Sequence, residues 1–266
     1  MNPNMKDSLL FCLLFALTVF AGSQIRSSSA EPSKPSATSQ KLVYVLVHGA
    51  WGGGWDWKHM DQLLTSDGNT VHRVTLSGMG EHSNFSSTNI DLDTHIQDVV
   101  NVILWEDLHD VVLVGHSYGG MVITGVADRI PDRIRHVFYL DALLPENGES
   151  EETSRPHRTN QMKMPANNGY IIPFWVRPNQ PPPHDVPQPA KTFSEPITLT
   201  NQAVAQKIPT TYILAVDPGK TPEQDDFYAG YQRAQNRGWR VVAIESDHNV
   251  QRSHPQELRK LLEEVQ

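Results

Sequence analysis

Cysteine is almost absent: the 266-residue chain has one, Cys12, inside an apolar N-terminal stretch. Once that stretch is removed, disulfides, thiolate chemistry and cysteine-ligated metals are excluded. Basic charge is also scarce, with 22 Lys and Arg against 30 Asp and Glu, a formal net charge of −8. No Lys/Arg run is dense enough to track phosphates, which sets nucleic acid aside as a partner. No H-E-x-x-H or similar ligand cluster occurs to suggest a metal. Internal repeats are missing as well.

At the N-terminus, Lys6 precedes "LLFCLLFALTVFAG" (Leu9 to Gly22) and then small residues. The stretch is short for a membrane span and reads as a cleaved secretory signal over 1–22, with cuts expected after Ala21, Ser23 or Ala30. An uncleaved anchor is the alternative. A mid-stretch cysteine argues against a lipid-anchored N-terminus. The mature chain is expected to be secreted or periplasmic, without a membrane partner. Residues 23–40, "SQIRSSSAEPSKPSATSQ", are Ser/Pro-rich and read as a disordered leader.

From Lys41 onward, strand and helix patterns alternate. "LVYVLVHG" is a continuous apolar run ending in glycine, as a strand buried on both faces reads. "NTVHRVTLSG", "DVVLVGHS", "RHVFYLDALLP", "PTTYILAVDP" and "WRVVAIESDH" read as further strands. "DTHIQDVVNVILWEDL", "YGGMVITGVADRI" and a stretch from about Asp225 to Asn236 read as helices. "SHPQELRKLLEEV" reads as a closing amphipathic helix, with Ser253 and Gln256 spaced for a capping box. The pattern predicts one α/β domain over 41–266, a mostly parallel sheet with helices on both faces. Between about 145 and 209 it breaks into a Pro-rich insertion. Long irregular insertions of this kind are usually functional, as a lid or cap, with a mobile excursion of no role as the alternative; Tyr170, Phe174, Trp175 and Phe193 favour a lid over an apolar ligand.

"VVLVGHSYGG" has the pattern G-x-S-x-G, with a strand before it and a helix after it. In that context Ser117 is a candidate nucleophile on a sharp turn, with the helix N-terminus directed at a developing anion. An oxyanion hole then needs the amide of the following residue, Tyr118, and one from an early strand-end loop. "VLVHGAWGGGW" supplies Ala50, with Trp51 as the alternative, and His48 reads as a structural residue of that loop.

The stretches "LVHGAWGGGWDW", "VTLSGMGEHS", "LDTHIQDVVNVI", "VVLVGHSYGGMVITGVADRIPDRI", "VFYLDALLPENGES" and "ESDHNVQRSHPQEL" extend along nearly the whole chain after Lys41. Together they resemble the α/β-hydrolase superfamily, in the branch of plant methyl-salicylate esterases, hydroxynitrile lyases and bacterial pyrethroid-hydrolase-like carboxylesterases. The resemblance is greatest to the bacterial esterases. It implies a serine carboxylesterase acting on a small-molecule ester, with no metal and no cofactor.

A serine hydroxyl needs a histidine base held by a carboxylate. His248 lies after the last predicted strand, where chain order puts the base. His254 is the nearby alternative, and His59, His72, His82, His95, His109 and His136 read as surface or structural. Asp141 and Asp217 both end a predicted strand and both stay open as the acid. Asp141 is preferred because its apolar surroundings demand a partner. Asp217 precedes Pro-Gly and has a turn-forming reason to exist, although fold analogy favours its strand. Asp225, Asp226 and Asp247 are weaker candidates. Trp51, Phe174 and Trp175 are candidate substrate contacts for a fairly apolar acyl or alcohol group.

A hydroxynitrile lyase of this branch carries threonine after its His-Gly pair and lysine beside its histidine. Ala50 and Asn249 occupy those places here. A non-catalytic ligand-binding protein on the same fold is the other alternative.

Overall fold

The computed structural model describes residues 41–155 and 165–265. The expected signal segment (1–22), leader (23–40) and part of the insertion (156–164) lie outside the described residues. From the N-terminal side the elements are β1 (Val43–Val47), α1 (Lys58–Ser66), β2 (Thr70–Val74), α2 (Leu92–Trp105), β3 (Val111–His116), α3 (Gly119–Arg129) and β4 (Ile134–Leu140). Then come β5 (Tyr170–Ile171), β6 (Gln188–Pro189), α4 (Lys191–Ser194), α5 (Gln202–Ala205), β7 (Thr210–Val216), α6 (Tyr228–Asn236), β8 (Arg240–Glu245), α7 (Val250–Ser253) and α8 (Pro255–Glu263).

Six strands form one sheet in the order β2-β1-β3-β4-β7-β8, and every neighbouring pair runs parallel. Parallel strands need crossover helices on the faces, so the inner strands are apolar on both sides. Tyr44, Leu46, Val112, Val114, Phe138, Leu140 and Ile213 share one core with Met60 and Leu64 of α1 and Leu258 and Leu262 of α8. Val45, Val47, Leu113, Val137 and Tyr139 share the other with Ile96 and Val99 of α2, Val122, Ile123 and Val126 of α3, and Ala234 of α6. Strand residues alternate between the two cores with the period of two that the pleat imposes.

Two local readings change. The helix α1 was not among the helices read from the pattern: only Met60 and Leu64 of its nine residues are buried. The closing helix is divided into α7 and α8, and the Ser253–Gln256 capping box does not form. Pro255 begins α8, where a missing N–H costs nothing. The Ser253 hydroxyl donates to Asp247 Oδ1 instead, at 3.0 Å.

The sheet's common direction places the ends of β1, β3, β4, β7 and β8 on one edge, where open α/β sheets carry their sites. The insertion joins β4 to β7 at that edge, through the antiparallel pair of β5 and β6. Among the described residues no helix is long and apolar enough to cross a membrane.

Leu46 is fully buried in the centre of one core. Leu46→Ala is expected to destabilise the fold by about 2–5 kcal/mol, read as a lower denaturant midpoint at unchanged slope.

Candidate active site

β3 runs fully buried to His116, and the chain reverses at Ser117, whose φ of 55° lies in the left-handed region. A non-glycine residue holds that conformation only where its surroundings enforce it. Here the Ser117 N–H donates to Leu140 O at 3.2 Å. Its carbonyl accepts from Gly120 N and Leu143 N, each at 3.0 Å. The following glycines are required by close approach. A Cβ on Gly120 would overlap the Leu143 carbonyl, and one on Gly119 would stand 2.8 Å from His48 O.

Asp141 follows β4 and is 1% exposed. Its Oδ2 lies 2.5 Å from His248 Nδ1, and its Oδ1 accepts from Ala215 N at 3.1 Å. Asp217 does not join this group: its carboxylate pairs with Lys220 at 2.7 Å on a turn and is 47% exposed. Between the two aspartates left open by the sequence, the structure therefore brings Asp141 to His248. Asp225 accepts from Phe227 N at 2.8 Å, and Asp247 from Asn249 N at 2.8 Å. His254 bonds to Ser246 Oγ at 2.9 Å.

Two rings pack against His248. Phe227 stacks on it at 4.9 Å and 7°, and His116 lies against it at 4.5 Å and 39°. His116 Nε2–H donates to the His248 carbonyl at 2.8 Å, while its Nδ1 faces Gln251 Nε2 at 3.4 Å. Gln251 in turn donates to Asp56 Oδ2 at 3.0 Å, and Arg252 also pairs with Asp56. The Arg155 guanidinium lies over the Phe227 ring, 4.4 Å from its centre.

Burial lowers the His248 pKa to about 4, helped by the positive charge of Arg155. Its side chain keeps 38% of its surface exposed, which limits how far burial acts. Burial likewise pushes the Asp141 carboxyl well up, against the Ala215 N–H that favours its charged form. Desolvation and the Asp141 charge raise Asp225 to about 6.

The loop after β1 presses on Ser117. A Cβ at Gly49 would lie 3.0 Å from Ser117 Cβ. His48 is buried, with Nδ1–H donating to Gly49 O at 2.7 Å and Nε2 accepting from Leu76 N at 3.2 Å. Both ring nitrogens are thus committed and the ring is neutral. The Trp51 amide is occupied as well, donating to Gln188 Oε1 at 2.7 Å. Among the described residues the amides of Ala50 and Tyr118 meet no protein acceptor. The Tyr118 side chain is buried, with its hydroxyl 3.0 Å from His95 Nδ1 and its ring stacked on Phe193 at 5.7 Å.

Among the insertion's aromatics, Phe193 is buried and Tyr170 half-buried, whereas Phe174 is 80% exposed. Trp51 meets Trp175 edge-on at 5.1 Å and Phe193 at 5.6 Å. Trp175 donates its ring N–H to Asp185 at 2.7 Å. His116, Phe227, Arg155 and Gln188 were not among the residues read from the sequence. Only His116, beside Ser117 in "GHSYGG", carried a local signal. No group of three or more His, Cys, Asp or Glu able to hold a metal occurs among the described residues.

The model of the alpha/beta hydrolase family matches residues 44–261, and the chain belongs to that family. A carbendazim hydrolyzing esterase of Nocardioides sp. (strain SG-4G) is 36% identical over 246 residues, covering 82% of this chain and 97% of that protein. The crystal structure of the methylesterase MES16 from Arabidopsis superposes with a TM-score of 0.65 at 25% identity, over 83% of this chain and 97% of that one. The pyrethroid hydrolase PytH superposes with a TM-score of 0.66 at 21% identity, over 84% and 97%, a likeness of fold. The chain is an esterase-type α/β hydrolase.

An NMR titration of the His248 ring protons should show a midpoint below the ordinary imidazole value near 6.5, between that and about 4. A midpoint at or above 6.5 contradicts the burial argument.

Proposed function

We propose that this member of the alpha/beta hydrolase family is a serine carboxylesterase for small, fairly apolar esters, working through an acyl-enzyme. The observation that carries the reading is the 2.5 Å contact between buried Asp141 and His248, at the sheet edge where Ser117 holds its left-handed turn. Relatives named as a carbendazim hydrolyzing esterase and a methylesterase support small-molecule esters as the substrate class.

In this mechanism Ser117 Oγ attacks the ester carbonyl while His248 Nε2 takes its proton. Asp141 keeps Nδ1 protonated and stabilises the imidazolium that forms. The amides of Ala50 and Tyr118 bind the oxyanion, and they are worth most in a site shielded from water. As the tetrahedral intermediate collapses, the C–O bond to the alcohol breaks and His248 returns the proton to the leaving oxygen. Water, deprotonated by the same imidazole, then attacks the acyl-enzyme and releases acid and Ser117. At neutral pH the ring is neutral and able to accept the Ser117 proton, and the Asp141 carboxylate stabilises the imidazolium that burial disfavours. In this reading Trp51 and Trp175, which meet edge-on at 5.1 Å, contact the apolar group of the substrate.

The N-terminal 22 residues we take as a secretory signal, which makes the working enzyme secreted or periplasmic. The mass of the chain recovered from the periplasm or medium tests this: a full 266-residue product in the cytosol overturns it.

With p-nitrophenyl esters, Ser117→Ala and His248→Ala should each lower kcat by about 10⁴–10⁶. Asp141→Asn should cost about 10³–10⁴, since it leaves the histidine in the wrong tautomer. Asp217→Asn should stay within about threefold of the parent, as an exposed turn pair contributes little. Full activity in Ser117→Ala overturns the mechanism, and a larger loss in Asp217→Asn than in Asp141→Asn overturns the choice of acid.

A further inference from the structure

Trp51 immediately follows the proposed oxyanion donor Ala50 and holds a φ of 61°, a conformation that a bulky aromatic residue adopts only under constraint. Among the described residues its hydrogen-bond partners belong to the insertion. Its N–H donates to Gln188 Oε1 at 2.7 Å, its carbonyl accepts from Val186 N at 2.9 Å, and its ring N–H donates to Ile171 O at 3.2 Å. Gln188 is 1% exposed, far from Trp51 in sequence, and itself braced. Its Nε2 donates to Thr192 Oγ1 at 2.9 Å, and that hydroxyl donates to Pro189 O at 2.7 Å. A flipped amide would set Nε2 against the Trp51 N–H, donor against donor, so the acceptor orientation is fixed.

The peptide that carries the Ala50 N–H is therefore held from two sides. His48 grips its carbonyl end, Gly49 O, at 2.7 Å, and the insertion grips the next residue, Trp51. The same stretch of the insertion reaches the second donor too, because Phe193 stacks on the Tyr118 ring. We infer that Gln188 is a positioning residue for the oxyanion hole: by capturing the Trp51 amide it ties the insertion to the loop that presents Ala50. The insertion then acts as part of the transition-state machinery as well as a cover. This inference rests on the esterase reading for its catalytic consequence, although the clamp itself does not.

The test compares Gln188→Met, which keeps the volume and removes the acceptor, with Gln188→Glu, which keeps an acceptor oxygen. Hydrolysis of p-nitrophenyl acetate and hydrogen exchange at the Trp51 amide are both measured. Displacing an oxyanion donor without deleting it should lower kcat in the methionine variant by about 10–100-fold, below the full loss for a deleted donor, with KM within about threefold. Trp51 exchange should speed up at least about tenfold in that variant, because its amide loses its acceptor. The glutamate variant should recover most of both. If the methionine variant fails to fold, Thr192→Val, which removes only the brace, should give a smaller loss in the same direction. Unchanged kcat and exchange in the methionine variant overturn the inference, as does an equal kcat loss in both variants with Trp51 still protected. Absence of ester turnover in the parent protein would fell the esterase reading, while Trp51 exchange would still decide the clamp.

Discussion

A carboxylate with 1% of its surface exposed has no solvent to stabilise its charge, and Asp141 depends on the two donors it finds. One is the Ala215 amide in the adjacent strand β7; the other is the imidazole of His248, beyond β8. Much of the site's geometry follows from this pairing. The loop after β8 has to return over the end of β4, and His116, Gln251 and Asp56 hold its backbone there through the His248 carbonyl. Burial cost at one residue is thus converted into placement of another, 107 positions away in sequence.

The sheet makes that placement possible. Because all its strands run in one direction, the chain revisits the same edge after every crossover, and residues separated by more than a hundred positions meet there without a long excursion. The insertion is the one long excursion, and its innermost part returns to the loop after β1. Core and insertion therefore meet around the residues proposed to bind the oxyanion, which links the segment facing the substrate to the chemistry beneath it.

The fold was legible wherever burial on both faces wrote itself into the composition. The runs around Val45, Val112, Phe138 and Ile213 read directly as inner strands. α1 escaped because two buried residues in nine leave little periodicity to find, and the capping box misled because Asp247 competes for the Ser253 hydroxyl. At the site, Ser117 was legible because glycine, serine and the strand–helix order are all local. The acid was not. Asp141 and Asp217 both end a strand, and the apolar run around Asp141 only tilts the choice; what decides it is an imidazole 107 residues from Asp141. Gln188 was invisible for the same reason, since its partner lies 137 residues away and nothing in "DVPQPAKTF" hints at a buried amide.

The rings of Phe227 and His116 packed against His248 set a limit on its freedom. A flat ring with another stacked on its face can slide within its own plane more easily than it can tip or turn over, since tipping pushes the stacked ring away. In a catalytic cycle its second nitrogen would have to serve first the serine, then the departing alcohol, then the incoming water. Held in this way, it would do so by small in-plane shifts, like a shuttle in a groove. The substrate would have to bring its oxygen atoms to the line along which the imidazole travels. Selectivity in such an enzyme would come partly from the track its base runs on, and any ester whose leaving oxygen could not reach that track would bind without reacting.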